Sequence, residues 1–304
     1  MKNILITTEE FVIKDFPEDF HILKNPYCRK LTEKEADKLI QQHKPIGMIA
    51  GIEPLTRKIM KKAPFLKVIS RCGVGLDSVD LKAAAELGIK VVNTPDAPTS
   101  AVAELTIGLM LAILRGICLM DGKIRSGEWP RPIGSLLAGK TVGIIGCGRI
   151  GAYVARLVHS FGCNVMGYDP YIKNSRFCVL RDLDVLLRES DIVTLHIPCT
   201  SENHHIISRE RIFAMRKGAV LINAARGGLI DEEALYDALL KEHISGAALD
   251  CFEKEPYSGP LAKLENVVLT SHVGSNAREA RIVMEQQALD NLIKALAEEV
   301  NKDV

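Results

Sequence analysis

The stretch "VGIIGCGRIG", Val142–Gly151, decides how the chain is read. A β-rich run, Thr141–Ile145, leads into glycines at 146, 148 and 151, and a helical pattern from Arg149 to Phe161 follows. In a Gly-x-Gly-x-x-Gly turn between strand and helix, the first glycine (Gly146) permits the tight turn and the second (Gly148) lets backbone approach a pyrophosphate. The third (Gly151) lets the helix pack closely on the sheet. The helix N-terminus then offers unpaired N–H groups and a positive dipole end to phosphates. Asp169 closes the next β-rich run, 23 residues beyond Gly146. A carboxylate there accepts hydrogen bonds from ribose hydroxyls and repels a 2′-phosphate, so the expected cofactor is NAD rather than NADP. Lys173 and Arg176 lie close enough in sequence to soften that preference.

About 140 residues precede this turn, and they need a purpose of their own. A chain of 304 residues is natural for two domains. With 47% apolar and 25% charged residues and a net charge of +1, it reads as a globular protein. Such a balance gives no electrostatic reason to expect nucleic acid or an anionic membrane as partner, so the expected partner is a small molecule. The eight cysteines are scattered without a Cys-x-x-Cys pair, which reads as reduced, mostly buried thiols in a cytoplasmic protein. "MKNILITTEEF" is too short in its apolar run for a signal sequence and reads as a first strand. The apolar run Leu105–Leu114 is well short of the ~20 residues a bilayer needs and reads as a buried helix.

Strand and helix patterns alternate along both parts of the chain. "NILIT", "PIGMIA" and "LKVIS" are strands; "TEKEADKLIQQH" opens with a capping box, Thr32 and Glu35; "DLKAAAEL" ends at Gly88. An apolar helix is expected from Ser100 to about Met120. From Lys140 a second series follows: strands "TVGIIG", "NVMGYD", "DIVTLHIP", "GAVLINAA", "GAALD" and "NVVLTSHV", with helices "LDVLLRES" and "DEEALYDALLKE" among them. Alternation of this kind means parallel sheets. The last helical run, Asn276 to about Val300, needs a surface to pack on and is expected to return to the first domain, crossing at Pro95 and Pro98 and again at Gly274 and Ser275.

Three late segments carry candidate chemistry: "NAARGGLID" with Arg226, "DCFEKEP" with Glu255 and "LTSHVGS" with His272. A nicotinamide enzyme for hydroxy acids needs a cation for the carboxylate, an acid/base for the hydroxyl proton and a group that tunes it. Singly, each residue has a plainer reading: a solvated loop charge, a turn residue before Pro256, a hydrogen-bonded strand-end histidine.

On "RCGVGLDSVD", "VNTPDAPTSAVAELTIGLML", "GKTVGIIGCGRIG", "YDPY", "NAARGGLID", "AALDCFEKEP" and "TSHVGS", in this order, the sequence resembles the D-2-hydroxyacid dehydrogenase family over nearly its whole length. The resemblance implies two doubly wound parallel-sheet α/β domains: a flavodoxin-like substrate domain, 1–98 plus 275–304, and a Rossmann NAD-binding domain, 99–274. The residues before the turn are then the other half of an active-site cleft. Arg226, Glu255 and His272 fall on the family's catalytic Arg, Glu and His, and Asp250 on the Asp that contacts the nicotinamide carboxamide. Arg149, followed by Ile150, sits after the second fingerprint glycine beside the pyrophosphate. By the same resemblance His272 exchanges the C2 hydroxyl proton, Glu255 orients its ring, and Arg226 pairs with the substrate carboxylate, which the backbone N–H groups of Val74 and Gly75 also hold. The helix from Ser100 is implied to take part in a homodimer interface.

Arg71 matches an arginine that phosphoglycerate dehydrogenases of the family place beside the substrate phosphate. The expected substrate pair is therefore 3-phosphoglycerate and 3-phosphohydroxypyruvate, placing the chain in serine synthesis. Against it, Ala50 and Gly51 stand where a basic pair is expected and Glu53 adds negative charge, although Arg57 or Lys58 could compensate. Hydroxypyruvate, glyoxylate or another D-2-hydroxy acid such as sulfolactate is the alternative, and an NAD-sensing corepressor-like binding protein is an alternative of another class. Because the sequence closes at Val304 after the last helix, no serine-sensing domain and no serine inhibition are expected. His204 and His205 in "ENHHII" are expected to point different ways and to hold no metal, with no Cys/His partner at zinc spacing. His196 is expected to end a strand near the cofactor edge, in contact or in packing.

Overall fold

The computed structural model describes residues 1–300. The chain begins β1 (Lys2–Ile6), β2 (Phe20–Lys24), α1 (Glu33–His43), β3 (Gly47–Ala50), α2 (Arg57–Lys61), β4 (Val68–Arg71), α3 (Leu81–Glu86) and β5 (Lys90–Asn93). It continues α4 (Thr99–Arg115), α5 (Ile117–Arg125), β6 (Thr141–Ile145), α6 (Arg149–Ser160), β7 (Asn164–Tyr168), β8 (Val179–Leu180) and α7 (Leu183–Glu189). Then come β9 (Ile192–Leu195), α8 (Arg209–Ala214), β10 (Ala219–Asn223), α9 (Glu232–Leu240), β11 (Ile244–Leu249), β12 (Val267–Leu269) and α10 (Arg278–Val300). Two compact units result, Met1–Pro98 with Ser275–Val304, and Thr99–Gly274.

In the first unit five parallel strands lie in the order β2-β1-β3-β4-β5, the flavodoxin-like arrangement. β3 is buried at every position, which is why "GMIA" shows no polar alternation. Local chemistry agrees with the packing. Thr32 and Glu35 form the expected capping box on α1, and Asp80 caps α3 by accepting from Ala83 N at 2.8 Å. One sheet face buries Leu39, Ile40, Ile59 and Met60 from α1 and α2. The other is covered by α10, whose Met284, Leu289, Leu292 and Leu296 pack on Ile4, Ile6, Ile49 and Val68. Each such side chain contributes roughly 1.5–3 kcal/mol by leaving water. Gly47 sets the approach: a Cβ there would stand 2.8 Å from Leu292 Cδ1.

The second unit holds a seven-stranded parallel sheet, β12-β11-β10-β9-β6-β7-β8. Strand order reverses between β6 and β9, and in open α/β sheets ligands bind outside the carboxyl ends of strands at such a switch point. α4 and α6 cover one face through Ile107, Met110, Val154 and Val158. α7, α8 and α9 cover the other, through Leu186, Ile212 and Leu235 among others.

The expected single helix from Ser100 to Met120 is two helices. Gly116 adopts φ +60°, a left-handed conformation that an α-helix cannot contain, and the pair α4 and α5 bends by 63° there. No single helix among the described residues is long and apolar enough to cross a membrane. β2, β8, α2 and α8 were not among the elements expected from the sequence. Five of the eight cysteines are buried and Cys199 is half-buried, while Cys28 and Cys118 are exposed.

Candidate active site

The turn between β6 and α6 has the properties its glycines imply. Gly146 takes φ +94°, open to glycine at little cost. A Cβ on Gly151 would run into the Gly146 carbonyl, whereas a Cβ on Gly148 meets nothing within 4 Å. The loop therefore leaves backbone accessible at Gly148 while Gly151 draws α6 against the sheet. Gly148 is the N-cap of this 12-residue helix and provides no side-chain cap, so the first-turn N–H groups, those of Arg149 and Ile150 among them, face an anion-compatible end. Asp169 accepts Cys147 N at 2.9 Å on one oxygen, and Tyr171 N at 2.9 Å and Ile172 N at 3.2 Å on the other. Each carboxylate oxygen takes two hydrogen bonds, so Asp169 ties the loop together and keeps acceptor capacity for a diol. These residues fit a dinucleotide.

Arg226, Glu255 and His272 come from three strand ends of the same unit and meet around Cys251. One oxygen of Glu255, His272 ring nitrogen and Cys251 Sγ all lie within 4.8 Å of one another. Burial, with the Asp250 charge, pushes the Cys251 thiol well up, and the Arg226 charge opposes that shift. The site thus has a neutral floor. His272 Nδ1 lies 3.0 and 3.1 Å from the two Glu255 oxygens, and Phe252 N donates to Glu255 Oε1 at 3.2 Å. This leaves Nε2 as the ring nitrogen available to a ligand. Arg226 follows β10, where Asn223 Nδ2 donates to its carbonyl at 2.8 Å. The next residue, Gly227, lets this turn lie against the chain at Phe252, since a Cβ there would overlap that backbone.

Asp250 has a role that sequence reading missed. It is fully buried at the end of β11 and accepts Thr270 Oγ1 at 2.6 Å, Val273 N at 2.9 Å and Gly274 N at 2.8 Å. Those donors bracket His272, which has φ +55°, a strained conformation for a residue with a Cβ. The sequence clue was Thr270, two residues before His272, but no local rule pairs it with an aspartate twenty residues earlier.

In the first unit, Arg71 ends β4 and its guanidinium folds over Gly73 to donate to the Cys72 carbonyl. Gly73 N donates to Thr94 Oγ1 at 2.7 Å, which fixes the turn carrying Val74 and Gly75. Glu53 is only 1% exposed, bonded to the Thr7 hydroxyl, and burial pushes its carboxyl up, against the pull of the Arg71 charge. Glu53 therefore does not present the surface charge expected of it; its carboxyl is inside the unit, against Thr7.

His196 follows β9, and Gly146 abuts its carbonyl, 2.6 Å from where a Cβ would be. Although the residue keeps some open surface, its Nδ1 is covered and its Nε2 lies 3.0 Å from Thr194 Oγ1. Desolvation pushes the imidazole down to about 3, so it is neutral beside the turn. His204 and His205 do not point apart as expected. They stack, with ring centroids 4.0 Å apart, because His205 takes φ +52°.

Residues 107–274 match the family model "D-isomer specific 2-hydroxyacid dehydrogenase, NAD binding domain". The chain is 43% identical over 282 residues to a D-3-phosphoglycerate dehydrogenase of Methanocaldococcus jannaschii, covering 90% of this chain and 54% of that protein. It thus spans about half the length of that relative. Similarity to a glyoxylate reductase of Thermofilum pendens is 44% identity over 273 residues, covering 83% of this chain and 80% of that one. The crystal structure of the TT0316 protein from Thermus thermophilus superposes with a TM-score of 0.87 at 36% identity, covering 97% of each chain. With the doubly wound sheets, the glycine turn and the gathered Arg, Glu and His in place, the chain belongs to the D-isomer specific 2-hydroxyacid dehydrogenase family, a family of NAD-dependent oxidoreductases.

Proposed function

We propose that the chain catalyses reversible, NAD-dependent oxidation of a small D-2-hydroxy acid to its 2-keto acid. The observation that carries this reading is His272 held through Nδ1 by Glu255 in the same unit as Arg226 and the glycine turn. Bound in that turn, NAD supplies the nicotinamide ring that accepts or donates the hydride. In oxidation, Nε2 of His272 accepts the C2 hydroxyl proton; in reduction it returns it. Glu255 fixes the tautomer and ring orientation, and Arg226 pairs with the substrate carboxylate and polarises the C2 oxygen. Asp250 holds the His272 turn and is the proposed neighbour of the carboxamide. In the first unit, the proposed substrate contacts are the Val74 and Gly75 amides and Arg71.

For the substrate, Arg71 beside the "CGVG" turn supports 3-phosphohydroxypyruvate, in keeping with the Methanocaldococcus relative. Its bond to the Cys72 carbonyl, which turns the guanidinium back onto the chain, favours a second reading, glyoxylate or hydroxypyruvate, in keeping with the Thermofilum one. NADH oxidation by the purified protein against these three acids and sulfopyruvate, with His272→Ala as control, decides between them. Preference for the phosphorylated acid supports the first reading; preference for an unphosphorylated one supports the second. Tight NADH binding without turnover of any acid would overturn both and favour a binding protein.

A homodimer is also inferred. Trp129, Ile133 and Leu136, beyond α5, are 79%, 101% and 71% exposed, an apolar set that a second copy of this chain would cover. Light scattering should give twice the chain mass, and Trp129→Glu with Ile133→Glu should give one.

A further inference from the structure

Neighbouring side chains on extended backbone point to opposite sides. The left-handed φ of His205 breaks that rule and sets its imidazole 4.0 Å from that of His204, the ring planes 27° apart. The loop carrying them is held in place. Asn203 accepts Thr200 N at 2.6 Å and donates to the Pro198 carbonyl at 2.7 Å, while His205 N donates to the Gly228 carbonyl at 2.8 Å. Gly228 also gives His204 its room, since a Cβ there would stand 3.2 Å from His204 Cδ2. Facing the pair is Glu253, whose carboxylate meets His205 Nε2 and whose own N–H donates to Glu232 at 2.8 Å. One ring nitrogen from each histidine and one Glu253 oxygen lie within 4.8 Å of one another.

Two imidazoles and a carboxylate are a donor set for zinc-like ions, with metal–ligand distances of about 2.0–2.2 Å, whereas calcium and magnesium take oxygen donors. Donors around a tetrahedral ion of that size stand roughly 3.3–3.6 Å apart by the same distances. To admit an ion, His205 Nε2 and the Glu253 carboxylate move apart from their present hydrogen bond and His204 turns toward them, at residues that are half-buried (His205) and exposed (His204, Glu253). Glu232, which accepts Glu253 N, is close enough to feel the charges of both Glu253 and His205. We propose that His204, His205 and Glu253 form a binding site for one divalent transition-metal ion of the zinc class, which ties the loop of residues 198–206 to the segment that presents Glu255. Solvent supplies the fourth position, as in three-ligand zinc sites.

The cluster of Cys251, Glu255 and His272 is a competing place for the same ion, and the test separates the two. Untagged full-length protein is titrated with zinc chloride by calorimetry, and with cobalt chloride while visible d–d bands are recorded. The proposal expects one saturable ion per chain, with affinity roughly ten-fold or more weaker in His204→Ala and in Glu253→Gln. It also expects unchanged affinity in His272→Ala. The exposed position of His204 leaves the metal-free melting temperature of His204→Ala unchanged, so a loss of binding is not a loss of fold. Equal binding by parent and His204→Ala, loss confined to His272→Ala, or no saturable binding would each overturn the proposal.

Discussion

The Asp250 carboxylate and the Thr270 hydroxyl are 2.6 Å apart, joining the end of β11 to the chain beyond β12 two residues before His272. With Val273 and Gly274 N–H groups on the same carboxylate, Asp250 is what keeps a residue with φ +55° in place. Replacing Asp250 by Ala strands those donors in a buried site, at a cost of about 1–3 kcal/mol each where no water replaces the carboxylate. The expected result is a lowered melting temperature, a kcat lower by about 10²-fold because His272 is displaced, and a raised KM for NADH because the carboxamide loses its neighbour. A raised KM for NADH with unchanged kcat would instead assign Asp250 to cofactor contact alone.

Glu255 and His272 should behave as one unit. Steady-state keto-acid reduction is expected to lose about 10²–10⁴ in kcat in His272→Ala. Glu255→Gln should lose less, and the double variant should lose no more than His272→Ala alone. Multiplying losses would mean that Glu255 acts elsewhere.

The glycine turn gives a matched pair of substitutions. Gly151→Ala would overlap the Gly146 carbonyl and should destabilise the fold by about 1–3 kcal/mol as well as weaken NADH binding. Gly148→Ala meets no protein atom within 4 Å, so its melting temperature should match the parent while NADH affinity, read by fluorescence titration, falls. Unchanged NADH affinity in Gly148→Ala would remove the pyrophosphate from that position.

His196 makes stability depend on pH with a definite sign. Its folded-state imidazole is pushed to about 3, below the unfolded value of ~6.5. Between those values the unfolded chain binds the extra proton, so stability is lost as pH falls through that window, on the order of 3 kcal/mol by pH 4. In urea titrations from pH 7 to pH 4, His196→Asn should lose correspondingly less than the parent; an identical loss in both proteins would refute this origin.

Legibility followed the range of the physical signal. The buried runs "TVGIIG" and "GAVLINAA" and the capping box at Thr32 are local patterns, and each element formed where its pattern stood. α4 was overextended because Gly116 in an apolar run is invisible until its φ is known. Arg226, Glu255 and His272 were singled out by motif order, but the Asp250 clamp depends on pairing across twenty residues. The stacking of His204 on His205 depends on a single left-handed residue, which no periodicity reports.

The return of α10 to the first sheet has a consequence for synthesis. Ile4, Ile6, Ile49 and Val68 are covered by Leu289, Leu292 and Leu296, which leave the ribosome only after the 176 residues from Thr99 to Gly274. At about 5–20 residues per second, that sheet waits roughly ten to thirty-five seconds with one face bare. The inserted unit, complete in its own strands, is thus free to fold during translation before the unit that begins the chain.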